Sequence, residues 1–242
     1  MKTLEYQKRF YRDWVSSSGL VPFEVVIKES DLFILAERDL REDARDVLAK
    51  CRGDLERYIA VYPEFAYALS PVSVARNAAP IIREMADAAR AFNVGPMAAV
   101  AGAVAEKVGR ALLERADSVM VENGGDIFMR SARKPTLALY AGDDSPFRGK
   151  ILFEVDARDG VGVCTSSGTV GHSLSFGRAD AVVVVAKNAA VADAAATAIC
   201  NRVKSPYDVD AIIDIESRNE NISGLIIAID DRIGFWGDIT LK

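Results

Sequence analysis

Asp193 and Thr197 stand four residues apart in the stretch "VADAAATAIC", so on a helix they share one face. A carboxylate and a hydroxyl are hard oxygen donors, the kind Mg²⁺ takes while keeping waters and bridging to phosphates. A plainer reading also stands, in which the helix dipole favours an acid in the first turn and the threonine faces the core. A second group lies upstream in "GVCTSSGTVGHSLSFG", which carries His172, the only histidine of the chain. An imidazole can act as a base near neutral pH or serve as a hydrogen-bonded structural group. The small residues before it (Thr165, Ser166, Ser167 and Gly168) form either a surface loop or a backbone-lined wall for a ligand's oxygens. A third group is Asn123-Gly124-Gly125-Asp126, either a tight hairpin turn or a place where backbone amides stay open to a ligand. No GxGxxG or GK[ST] phosphate loop and no GxSxG nucleophile elbow occurs. Cys164 falls inside an expected buried strand, a poor place for a nucleophile.

These groups need elements to hold them. The runs "FEVVIKES" and "LFILAE" predict a hairpin turning at Glu29-Ser30-Asp31, followed by an amphipathic helix from Asp39 to about Val61 that stops at Pro63. Ser70–Asn77 reads as a loop, and helices are expected from about Pro80 to Phe92 and from Met97 to Glu114, the latter Ala-rich and largely buried. Strands are expected at Ser118–Glu122 and in "IFMRS", "TLALYA", "KILFEVDA", "VGVCT" and "AVVVVA". Ala189–Arg202 reads as a helix, Asp210–Glu216 is open between helix and strand, and two further β runs close the chain. Too many hairpins for a doubly wound parallel sheet, and too many helices for a sandwich, make the fold class α+β, with antiparallel sheet covered by helices. One internal echo pairs "ILAERDLREDA" (Ile34–Ala44) with "VVAKNAAVADA" (Val184–Ala194), either a chance match or a duplicated strand–helix unit.

Composition narrows the functions. Half of the 242 residues are hydrophobic and 27% are charged, a globular balance. A net charge of −5 leaves no basic face for nucleic acid, so any bound anion needs amides or a metal. Three widely spaced cysteines without a CxxC pair fit reduced thiols in the cytoplasm. The first residues do not read as a signal peptide, and the longest apolar stretch, Val94–Ala105, is too short to span a bilayer, so no membrane partner is expected.

Taken in order, an Ala-rich helix, a strand with "NGGDI", a "TSSG" segment, a histidine and an "ADAAATA" helix resemble the ApbE family, the FAD:protein FMN transferases. The residues carrying the resemblance are Gly102-Ala103-Val104-Ala105, Asn123 to Ile127, Thr165 to Gly168, His172, and Ala192-Asp193-Ala194 with Thr197-Ala198. It implies a T-fold-like α+β domain over residues 1–242 built from two related halves, about 1–95 and 96–242. It also implies FAD as ligand, with Mg²⁺ on Asp193 and Thr197. Asn123, Gly124, Gly125, Asp126, Thr165, Ser166, Ser167 and Gly168 would line the flavin nucleotide, and His172 would accept the proton of an acceptor protein's threonine as FMN is transferred.

The chain departs from the family pattern at two places. Glu106 stands where a lysine is expected, and "SLSFG" follows His172 in place of a segment like "HIIDPRTG". These departures keep a second function open, a non-catalytic flavin- or nucleotide-binding protein. Either could work as a homo-oligomer.

Overall fold

A computed structural model describes residues 19–139, 141, 145–147, 151–169 and 176–242. Its centre is an eight-stranded antiparallel sheet in the order β1-β2-β3-β4-β7-β8-β9-β10. The strands are β1 (Val21–Ile27), β2 (Ser30–Ala36), β3 (Val119–Asn123), β4 (Asp126–Arg130), β7 (Val161–Ser166), β8 (Ala181–Ala186), β9 (Gly224–Ile229) and β10 (Arg232–Gly237). A small sheet, in the order β11 (Thr240–Leu241), β6 (Ile151–Glu154), β5 (Thr136–Leu139), covers part of one face. Helices α1 (Arg41–Val61), α3 (Pro80–Phe92), α4 (Val100–Leu112), α5 (Ala189–Arg202) and α6 (Asp208–Glu216) cover the other, with a one-turn α2 (Glu64–Tyr67) between α1 and α3. The α+β class with helix-covered antiparallel sheet is therefore the fold observed.

The two covers explain the hydrophobic patterns. On the helical side Ile34, Val121, Phe128, Val184 and Leu225 share a core with Leu48, Met85, Val104, Ala192 and Ile199. On the other, Val163, Val183, Val185 and Ile226 pack against Leu139, Ile151 and Phe153 of the small sheet. Every residue of "AVVVVA" in β8 is buried because both of its faces are covered, which removes the usual polar alternation. The expected hairpin at the start forms, with Lys28 at φ 52° in its turn. The open segment at 210–216 is helical: α6 lays Val209 and Ile213 over Gly234 of β10, where any larger residue would collide. Among the described residues no helix is long and apolar enough to cross a membrane.

The order of elements repeats. Two strands, helices and two strands (β1-β2, α1 to α4, β3-β4) are followed by the same series again (β7-β8, α5-α6, β9-β10), and the two meet at the β4–β7 pairing. Residues 95 and 96 lie within the first helical group, at the start of the 3-10 turn Pro96–Ala99 that enters α4.

Candidate functional site

The site is assembled where α4 and α5 cross over the middle of the sheet. Alternation along the strands turns Val121 and Asn123 of β3, Asp126 and Phe128 of β4, and Gly162, Cys164 and Ser166 of β7 toward the helices. Asn123 and Asp126 are the last cross-strand pair of the β3–β4 hairpin, closed by Gly124 and Gly125 at φ 69° and 100°. Two successive positive φ values are the geometry that Asn-Gly turns favour, and both side chains flanking the turn face inward. Asn123 Nδ2 donates to the Ala101 carbonyl at 3.1 Å, and Asp126 Oδ1 accepts from the Thr165 amide at 3.2 Å.

Asp193 meets this group from α5. Its Oδ2 accepts the Gly102 amide at 2.9 Å, so it caps the first turn of α4 from a neighbouring helix. A Cβ on Gly102 would lie 2.2 Å from the Ala189 carbonyl oxygen, and one on Gly162 would lie 2.3 Å from Ala189 Cα. Glycine at both positions lets α5 descend onto the strand and α4. Cys164 donates its thiol to the Ala189 carbonyl at 3.3 Å.

Electrostatics make the acids conspicuous. Burial raises the Asp126 carboxyl well above its usual range, and the charge of neighbouring Asp193 adds to the push. Burial also raises Asp193, to about 7, against the opposing effect of the Gly102 and Ala101 amides. The Cys164 thiol is pushed up as well, first by burial and then by the charges of Asp126 and Asp193. Two adjacent buried carboxyls that resist ionisation are stabilised as anions by a cation placed between hard oxygens.

The expected site residues divide as follows. Asn123, Asp126 and Asp193 come together, and Ser166 lies on the same face of β7 as Cys164, two residues along. The Ser166 hydroxyl is buried and has no hydrogen-bond partner among the described residues. Thr197 is half-buried one turn beyond Asp193 on α5. Ser167 and Thr169 sit past the end of β7, with the Thr169 amide bound to the Ser167 hydroxyl at 3.1 Å. The open amides expected of the two Gly-containing segments need correction at three positions. The Gly125 amide donates to Glu122 Oε1 at 2.7 Å, the Gly168 amide to the Ala179 carbonyl at 2.9 Å, and the Thr165 amide to Asp126. Folding has already engaged these three donors. His172 lies outside the described residues.

Glu106 is the residue whose role spacing alone did not reveal. It is 5% exposed, and its Oε2 accepts the amide of Ala189, the first residue of α5, at 2.6 Å. Its Oε1 is held by Arg110, from Nε at 2.7 Å and from Nη2 at 2.6 Å. The available signal was an acid on the apolar face of an Ala-rich helix with arginine four residues on. Lys107 points elsewhere and pairs with Glu84 of α3 at 2.6 Å.

Comparison with known proteins places this geometry. The family model described as AbpE bacteria matches residues 12–219. The chain belongs to this family. A UPF0280 protein of Methanocaldococcus jannaschii is 41% identical over 222 residues, covering 89% of this chain and 90% of that relative. A UPF0280 protein of Methanopyrus kandleri is 47% identical over 178 residues, covering 73% and 72%. Solved structures of similar fold include a mutant of the flavin transferase ApbE from Vibrio cholerae, with a TM-score of 0.61, 11% identity, and 90% of this chain and 97% of that one covered. The apo flavinyl transferase ApbE of Pseudomonas stutzeri aligns with a TM-score of 0.55 and 16% identity over 90% and 94%. At such identities the structures establish the shared fold.

A groove of about 480 Å³ at the opposite end of α4, lined by Glu37, Arg38 and Leu113 to Asp117, contains none of these residues.

Proposed function

We propose that the chain binds a flavin nucleotide of the FAD class at the α4–α5 junction and transfers its FMN moiety to a threonine of an acceptor protein. The observation that carries this reading is the meeting of Asp126 and Asp193, two buried carboxyls brought together from opposite ends of the "NGGD…ADAAATA" series. Mg²⁺ is the implied metal, and the donors fit it: the carboxylates of Asp193 and Asp126, the Ser166 hydroxyl, without a partner among the described residues, and the Thr197 hydroxyl are all hard oxygens. When bound, such an ion offsets charge on a pyrophosphate. The threonine oxygen forms a bond to the FMN phosphorus, the P–O bond to AMP breaks, and AMP leaves with the electron pair. By family resemblance, His172 takes the threonine proton. The two strand–helix–strand units are read as related halves, and the cysteines, buried and outside any disulfide, support a cytoplasmic location.

A second reading, binding without transfer, is favoured by Glu106. An acid tied to Arg110 and Ala189 occupies the position where the family pattern has a lysine. One experiment separates the two. The purified protein is incubated with FAD and MgCl₂, flavin fluorescence reports binding, and chromatography reports AMP. Transfer requires AMP release that depends on Mg²⁺ and is abolished in Asp193→Ala. Fluorescence quenching without AMP supports the binder, and AMP release that persists in both Asp193→Ala and His172→Ala overturns the mechanism.

A further inference from the structure

Glu106 and Asp193 make a crossed pair of caps. Glu106 lies four residues after Gly102 on α4, and Asp193 lies four residues after Ala189 on α5. Each acid accepts an amide from the first turn of the other helix: Glu106 from Ala189 at 2.6 Å, and Asp193 from Gly102 at 2.9 Å. Residues i and i+4 lie on one face, so the two contacts require α4 and α5 to run antiparallel in one register. A helix leaves its first amides without internal partners, and both helices here meet that need partly through each other. The N-cap of α4, Ala99, supplies no side-chain bond, whereas Asn188 of α5 accepts the Val191 amide at 3.0 Å. Asp193 therefore supplies α4 with a side-chain acceptor that its own N-cap lacks.

We propose that Glu106 is a positioning residue for the candidate site: by accepting the first amide of α5 it sets the register in which Asp193 reaches Gly102 and stands beside Asp126. Three features make the device stiff. The glycine contacts at Gly102 and Gly162 let Ala189 seat directly on the α4 and β7 backbones. Arg110 grips the other oxygen of Glu106 and stacks over the Phe128 ring at 5.0 Å, on the strand that carries Asp126. Cys164 holds the Ala189 carbonyl while Glu106 holds its amide, so this peptide neighbourhood is fixed from two sides. The side chain of Glu106 is held by Ala189 and Arg110, and its reach to Asp193 runs through α5. The inference rests on Asp193 being the site's acid, and it is independent of which nucleotide binds.

The test is amide hydrogen exchange on the full chain, read residue by residue, in wild type, Glu106→Ala, Glu106→Gln and Arg110→Leu. The amide of Ile226, in the fully buried strand β9, reports global opening. In Glu106→Ala, protection at Ala189 is expected to fall at least about tenfold more than protection at Ile226. The same excess loss is expected at Gly102, whose amide is held by the Asp193 side chain. Glu106→Gln keeps an acceptor and is expected to restore both. Should Glu106→Ala fail to fold, Arg110→Leu carries the test and is expected to lower both protections together by a smaller factor. Loss at Ala189 with Gly102 unchanged, in whichever of these two variants folds, overturns the proposal and leaves Glu106 a local cap. In parallel, Mg²⁺ is titrated calorimetrically into the same proteins, and about a tenfold weaker affinity is expected for Glu106→Ala. If wild type itself takes up no Mg²⁺, the cation reading of the site fails while the exchange result still decides the role of Glu106.

Discussion

The β2–α1 and β8–α5 units are the two places where the echoed sequences Ile34–Ala44 and Val184–Ala194 fold, and they treat the same acid differently. In the first, Asp43 is 34% exposed and pairs with Arg115 at 3.1 Å, beyond the C-terminal end of α4. In the second, Asp193 is 9% exposed and accepts an amide at the N-terminal end of that same helix. One acid answers a cation at the surface and the other answers a helix dipole in a buried site. The position four residues on diverges too, Val47 in α1 and Thr197 in α5. Two strand–helix units thus yield a surface contact in one case and a perturbed carboxyl in the other, and desolvation makes the difference.

The widest gap between the two units should appear in pH dependence. Burial holds Asp193 near pH 7 instead of 3.8, so folding favours its protonated form. That contribution is fully present below about pH 4 and fades as pH rises through 7. Its upper size is about 4 kcal/mol, from about three pH units at about 1.4 kcal/mol each, and sharing of charge with Asp126 reduces it. Asp193→Asn keeps an acceptor for Gly102 and cannot ionise. Urea denaturation from pH 4 to 8 should therefore show wild type losing stability relative to Asp193→Asn as pH climbs, with Mg²⁺ narrowing the gap at the top. Parallel curves for the two proteins would mean that Asp193 carries no buried charge.

A second contrast concerns glycines on the helices of the two regions. A methyl at Gly102 meets backbone at 2.2 Å, where neither α4 nor α5 can yield without moving. At Gly53 of α1 a methyl meets only the guanidinium of Arg57, a flexible exposed group, at 3.0 Å. Gly102→Ala should destabilise by about 3 kcal/mol, lowering the melting midpoint by roughly 6–12 °C. Gly53→Ala should be neutral or stabilising by up to about 1 kcal/mol, because alanine is the better helix former. Equal melting midpoints for the two variants would show that the close approach at Ala189 relaxes freely.

How far these differences could be read in advance depends on the kind of interaction. Period-2 and period-3.6 patterns located the β1–β2 hairpin, α1, α3 and α5 because burial of one face leaves a local imprint. The 210–216 segment resisted because its partner, Gly234, is distant in sequence. In the site, Asp126 and Asp193 were visible as motif residues, yet their meeting depends on two glycines and a helix crossing that spacing does not encode. The amides of Gly125 and Gly168 looked open only because their acceptors, Glu122 and Ala179, cannot be identified from the turn residues themselves. Glu106 was visible only as a departure from the family pattern. Its reason is a contact with an amide 83 residues away.

The smallest effect belongs to the surface copy. Asp43 and Arg115 are both well solvated, at 34% and 62% exposure, so their attraction is screened and offset by the entropy of holding two long side chains. Arg115 also donates to Asp43 at 3.3 Å through a second pair of atoms, while Arg38 bonds the Arg115 carbonyl and keeps that turn in place without Asp43. Asp43→Ala should therefore cost no more than about 0.5–1 kcal/mol, and 1 M NaCl should erase most of it. Thermal denaturation at low and high salt checks this directly. A loss of several kcal/mol, or one indifferent to salt, would mean that the first unit also uses its acid as a buried support, and the contrast between the two copies would collapse into a symmetric pair of caps on α4.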